Sequence, residues 1–184
     1  MDVEPRLRRE IQDLKDELEA LRTTLAVVGT IDLDSGMLNR TGVLDALERA
    51  KHWLTRRGDI YGVVVVTFPD LASDMRTGTE AGEFRTHVAA TMGAAVREVD
   101  AVGTIDEATF AAVLADLNAG AIWIVAARMQ GLLDRLVATT PAIGGTYRIS
   151  GLEVLSATPS GEVLQRAVRL TEEPDDGPVI GQIE

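Results

Sequence analysis

The most constraining feature of the chain is a heptad seam at its start. Leu7, Ile11, Leu14, Leu18, Leu21, Leu25 and Val28 follow one another at alternating steps of four and three residues. That spacing puts one apolar stripe along a helix with the 3.5-residue period of a coiled coil. With Ile11, Leu18 and Leu25 at a, and Leu7, Leu14, Leu21 and Val28 at d, the e positions are Arg8, Lys15 and Arg22. The g positions are Glu10, Glu17 and Thr24. A parallel dimer then opposes Glu10 to Lys15 and Glu17 to Arg22 across the seam. Exposed pairs of this kind contribute only ~0.2–1 kcal/mol each, so they select register while the leucines supply affinity. The expectation is a parallel homodimer through residues 1–30; the alternative is a single helix lying on its own domain.

The remainder reads as one α/β unit. "VLDALERAKHWLTRR" repeats apolar residues at helical spacing, and "YGVVVVTF" is a β-branched run of strand length. "PDLASDMRTGTEAG" reads as loop. A helix follows with Phe84, Val88, Met92 and Val96 on one face. "AVGTI" and "TFAAVLA" flank "DEA" as a hairpin, then come a helix over "AGAIWIVAARMQGLLDRLVATT", a strand in "YRISGLEVLS" and a helix in "SGEVLQRAVRLTEE". Residues 174–184, with Pro, Gly and acids, are expected to form a flexible tail. Strand, helix, hairpin, helix, strand, helix predicts helices packed on an antiparallel-containing sheet.

Composition narrows the function. Acids outnumber Lys and Arg by 29 to 18, a formal charge of −11, which disfavours broad nucleic-acid binding. With no cysteine and two histidines, His52 and His87, thiol chemistry is excluded and no metal cluster is evident. No leader or spanning run is visible, so a soluble cytoplasmic protein without membrane contact is expected. Trp53 and Trp123 are expected in the core or an interface, His87 in a structural role, and Gly144-Gly145 in a turn.

The order of elements resembles the GGDEF domain of bacterial diguanylate cyclases over residues 31–173. Of that family's opening Asp-x-Leu-Thr-Gly-Leu-x-Asn-Arg signature, "DLDSGMLNR" keeps Asp32, Gly36, Asn39 and Arg40. Met37 stands for the second Leu, and Asp34 and Ser35 replace Leu and Thr. The resemblance implies a nucleotidyl-cyclase-like, ferredoxin-like sheet with flanking helices. The family condenses two GTP molecules into cyclic di-GMP with metal carboxylates at the end of the first strand and in the Gly-Gly-Asp-Glu-Phe turn.

Aligned on that pattern, the chain departs at each catalytic position. Thr67 occupies the metal aspartate, Ala72 the lysine, and Met75-Arg76 the Asn-Asp pair. Asp106-Glu107-Ala108-Thr109-Phe110 replaces the signature turn, keeping only its phenylalanine. The glutamates of "AVRLTEE" stand near the family's phosphate-binding lysine. Asp70 and Asp74 read as surface acids, and the acidic pair Asp106-Glu107 is displaced from the metal register. A hydroxyl is a poor ligand for a hard divalent cation, so the chain is expected not to be an enzyme and to hold no metal or cofactor.

The family's product-binding site is Arg-x-x-Asp, five residues before the turn, and Arg97 and Asp100 stand in that register. The gapless extension puts Arg128 at the family's second arginine. These three residues imply a cyclic di-GMP receptor acting through an unidentified protein partner. The alternative is a dimerisation or interaction module with no ligand, in which Asp100 caps a strand and the arginines are surface residues.

Overall fold

The structure is a computed structural model that describes residues 11–12, 14–18, 20–22, 24, 29–33, 35–72, 78–140, 145–172 and 177–183. Leu7, Arg8, Glu10, Leu25, Val28, Asp34, Asp74, Met75, Arg76 and Gly144 lie outside the described residues. The described residues between 11 and 24 are helical, and Ile11, Leu14, Leu18 and Leu21 are exposed along them.

The helices of the domain are α1 (Arg40–Arg57), α2 (Pro69–Ala72), α3 (Gly78–Ala95), α4 (Ala121–Thr139) and α5 (Ser160–Leu170). The strands are β1 (Ile60–Thr67), β2 (Ala101–Thr104), β3 (Thr109–Leu117), β4 (Arg148–Val154) and β5 (Val179–Ile183). They form one sheet in the order β2-β3-β1-β4-β5. The first four run antiparallel to their neighbours, and β5 lies parallel to β4. This is the ferredoxin-like arrangement, with one strand added at the edge.

The alternation of side chains along β1 explains the layering. Tyr61, Val63 and Val65 point to one face and pack beneath α1 and α5; Val64 and Val66 point to the other, beneath α3 and α4. Both faces are covered, which is why "VVVV" is continuous rather than alternating. Phe110, the one residue kept from the signature turn, is fully buried. Phe68 meets it and Phe84 edge-on, with ring centroids 6.0 and 5.2 Å away.

Two expectations need correction. Residues 179–183 are no free tail: Val179–Ile183 pairs along β4 from Ser150↔Val179 to Val154↔Ile183. "PDLA" within the loop-like stretch makes a helical turn, α2, and α3 begins at Gly78. Of the two places expected for the tryptophans, the core is ruled out, since Trp53 is 40% and Trp123 52% exposed, and an interface is left. His87 is also exposed, and Gly145, the described residue of the expected turn, adopts φ 52°.

The segment before α1 is docked as a strap. Ile31 and Leu38 bridge each other, and Leu38 bridges Gly103 of β2. Its amide donates to Val102 O at 3.2 Å and its carbonyl accepts from Thr104 N at 2.7 Å. The strap lies so close that a Cβ on Gly103 would sit 2.6 Å from Leu38 O, and one on Gly42 would strike the Thr30 carbonyl. Asn39 caps α1 by accepting from Gly42 N (3.1 Å), and its amide donates to Gly29 O (2.8 Å).

Candidate functional site

Two places in this fold carry chemistry suggested by the sequence. The first is the rim where β1 ends and β3 begins. Thr67 lies directly opposite Thr109 on one side and Arg148 on the other, and Phe68 N donates to Ala108 O at 2.9 Å. The positions aligned with the metal carboxylates therefore meet in space, which fixes their register. They hold hydroxyls and a methyl group. Thr67 Oγ1 lies 3.4 Å from Thr171 Oγ1, which donates to Val168 O at 2.7 Å.

Asp106 and Asp70 each accept a main-chain hydrogen bond. Asp106 Oδ1 accepts from Ala108 N at 2.9 Å, closing the loop between β2 and β3. Asp70 Oδ2 accepts from Thr146 N at 3.1 Å, pinning the approach to β4. Among the described residues no three His, Asp or Glu side chains gather to hold a metal ion. Residues 67, 108 and 109 do not fit a divalent cation, because none offers a charged oxygen. Positions 106 and 107, glycines in the resembling family, are exposed here. Neither has a positive φ, so this turn makes no use of glycine's freedom.

The second place is the turn between α3 and β2. Asp100 N donates to Arg97 O at 3.0 Å, closing a β-turn. Asp100 is 2% exposed at its side chain, and its two oxygens take different main-chain donors: Oδ2 accepts from Arg97 N (2.9 Å) and Oδ1 from Ala115 N (3.1 Å). The carboxylate thus fastens the turn to β3 where that strand bulges. There the pairing steps from Ile60↔Leu117 to Gly62↔Leu114, and Asp116 adopts φ 51°.

Arg97 lies over this bulge. Its Nη2 donates to Ala115 O at 2.8 Å and reaches Asp116 O at 3.5 Å, while Nε sits 3.5 Å from Asp100 Oδ2. The side chain remains 54% exposed, and Nη1 makes no hydrogen bond among the described residues. The structure therefore brings Arg97 and Asp100 together. Arg128 stands on the exposed side of α4, two turns from its start, with no hydrogen bond or ion pair to either among the described residues.

One polar cluster was missed by sequence reasoning. Asp32, the first residue of the opening signature, accepts from Arg85 Nη2 of α3 at 2.8 Å and from Thr104 Oγ1 of β2 at 3.2 Å. Both members of the ion pair are largely buried. Asp32 was legible as a motif residue; its partner, 53 positions away, was not.

Comparison with known proteins follows from this geometry. No protein-family model matches the chain, and no curated protein matches it in sequence. Solved structures do match. A structure of the diguanylate cyclase SiaD with its activator SiaC from Pseudomonas aeruginosa superposes with a TM-score of 0.70 at 18% identity. It covers 96% of this chain and 73% of that one. The coiled coil and GGDEF domain of DgcB from Caulobacter crescentus, in complex with cyclic di-GMP, gives 0.66 at 19%, covering 95% and 98%. The fold is that of a GGDEF domain. A third match, a microbial GGDEF domain with bound cyclic di-GMP, gives 0.63 at 16%, covering 82% and 96%. At these identities the likeness of this GGDEF-like domain to its neighbours is one of fold. No helix among the described residues is long and apolar enough to cross a membrane.

Proposed function

We propose that the chain is a catalytically silent GGDEF-like domain that acts as a cytoplasmic, dimeric receptor for cyclic di-GMP. Arg97 is the primary contact, Asp100 the residue that positions it, and Arg128 a second cation. The observation that carries this reading is the state of Arg97. Its guanidinium is held over the β3 bulge by Asp100 and the Ala115 carbonyl, yet the side chain is half exposed and Nη1 makes no hydrogen bond among the described residues. A pre-oriented planar fork of this kind suits a guanine edge or a phosphate, because little side-chain entropy is lost on binding. The rim of Thr67, Ala108 and Thr109 supports catalytic silence, since phosphoryl transfer with metal ions needs carboxylates to hold them. The exposed stripe of Ile11, Leu14, Leu18 and Leu21 supports a parallel dimer. A neighbour comprising a coiled coil and the same domain matches over nearly the whole chain.

Titration calorimetry with cyclic di-GMP tests the receptor, with Arg97→Ala alongside. Binding to the wild type that is lost in the variant supports it. Incubation with GTP and Mg²⁺ is expected to give no cyclic dinucleotide, and product formation would refute catalytic silence. A second reading, an interaction module without ligand, draws on Asp100, whose two oxygens are both occupied by main-chain amides as a purely structural cap requires. Flat calorimetric traces for both proteins would favour it.

A further inference from the structure

On a chain whose acids outnumber its bases, α1 is a basic island. It carries five of the 18 lysines and arginines and only two of the 29 acids. Its inner face is committed to the core through Val43, Ala46, Leu47 and Ala50. Arg49, His52, Trp53, Arg56 and Arg57 fall at i, i+3, i+4, i+7 and i+8, so they share the opposite stripe, and all five are exposed. Arg49, Arg56 and Arg57 make no hydrogen bond or ion pair among the described residues. Lys51, by contrast, pairs with Glu48 at the edge of the helix.

Arg56 and Arg57 favour the C-terminal end of the helix dipole, which Gly58 closes in the left-handed conformation. That role needs neither Arg49, two turns earlier, nor an indole left 40% open to water. Unpaired arginines around an exposed tryptophan are the residue types that dominate protein-binding hot spots.

We propose that this stripe of α1 docks an acidic segment of a partner protein. Guanidinium groups take carboxylates in forked pairs, and Trp53 supplies the apolar anchor between them. From Arg49 to Arg57 the stripe runs about 12 Å, the length of two to three helical turns or a short extended acidic peptide. Charge argues for a short segment over a polyanion. The chain's net −11 repels a long phosphate backbone or an anionic lipid surface, whereas screening over ~8 Å lets a short peptide feel chiefly the local arginines. The surface lies on α1, across the sheet from α3 and α4, and its use requires no nucleotide.

The test uses the full chain and a fluorescein-labelled helical peptide with glutamates on one face and leucines beside them. An oligothymidylate and phosphatidylserine-containing vesicles serve as competitors of other classes. The peptide should bind, shift Trp53 emission to the blue, and weaken with added salt. Arg56→Glu with Arg57→Glu should weaken it about tenfold or more, and Trp53→Ala comparably. Trp53→Ala should keep the wild-type melting curve, and the charge-reversed variant, which loses the favourable charges at the end of α1, should melt only a few degrees lower and stay folded. Absence of peptide binding, equal affinity in the charge-reversed variant, or tighter binding of the oligothymidylate or the vesicles would overturn the proposal.

Discussion

Asp100→Ala is the substitution for which the structure gives the clearest magnitude. The carboxylate is 2% exposed and takes two main-chain donors at 2.9 and 3.1 Å, one in its own turn and one in β3. Hydrogen bonds to a charged group contribute ~1.5–3 kcal/mol each, and amides left without a partner add to the cost. Water reaching the turn offsets part of this, leaving a loss of about 3 kcal/mol. For a domain of this size that corresponds to a melting point lower by about 6–12 °C. Arg97→Ala removes a half-exposed side chain whose carbonyl partners water can satisfy, so it should cost less than ~1 kcal/mol. Thermal and urea unfolding followed by circular dichroism would measure both. The reasoning fails if Asp100→Ala melts within about 2 °C of the wild type, or if Arg97→Ala is the more damaging change.

Asp32→Ala leaves Arg85 buried without its carboxylate and should cost about 2–4 kcal/mol in urea unfolding; Asp32→Ala with Arg85→Met should recover part of that loss. Tyr61 is buried, its hydroxyl has no hydrogen-bond partner among the described residues, and burial followed by the Glu48 charge pushes its phenol up to about 12. Its folded state holds the proton more tightly than the unfolded state, so the associated stability is complete below pH ~10 and is lost as pH rises toward 12. Tyr61→Phe should therefore raise stability at pH 7 by about 1 kcal/mol and shrink the alkaline loss; an unchanged alkaline profile would refute this. Tyr147, raised by burial and its hydrogen bond to Asp134, titrates on the same side and remains as background. Finally, if the heptad seam forms the proposed dimer, the wild type should sediment as a dimer and Leu18→Glu, which puts a charge in that seam, as a monomer with the domain still folded.

Much of the fold was legible because local signals agreed. The β-branched run of β1, the turn between Thr104 and Thr109 and the helical spacing of Phe84, Val88 and Met92 each indicate one element, and their order leaves few topologies. β5 was not legible. "VIGQI" is short, interrupted by Gly181 and set in a run of Pro, Gly and acids, and it is fixed by pairing along β4, a contact that no local pattern reveals. The candidate site divides along the same line. Arg97 and Asp100 were singled out by the resemblance to the family's Arg-x-x-Asp, and their juxtaposition follows from the turn. That Asp100 faces inward, toward Ala115, depends on a bulge created by strand pairing. The exposure of Trp53 and Trp123 was hidden because an amphipathic helix reports which face is apolar but not which residues on its flank a neighbouring element covers.

The neutral rim of β1 and β3 has a consequence for how such a domain can change over time. Ala108 and Thr109 are each 5% exposed, and Thr67 stands between Thr109 and Arg148 in the sheet. An acid introduced at position 108 or 109 alone would be an almost buried anion, a cost in stability unless a partner took up its charge. Only several acids arriving together could share a metal ion and recover that cost. Single substitutions away from the present state thus run uphill. The rim is held neutral by its own burial, and change comes more cheaply on the exposed surfaces of the domain.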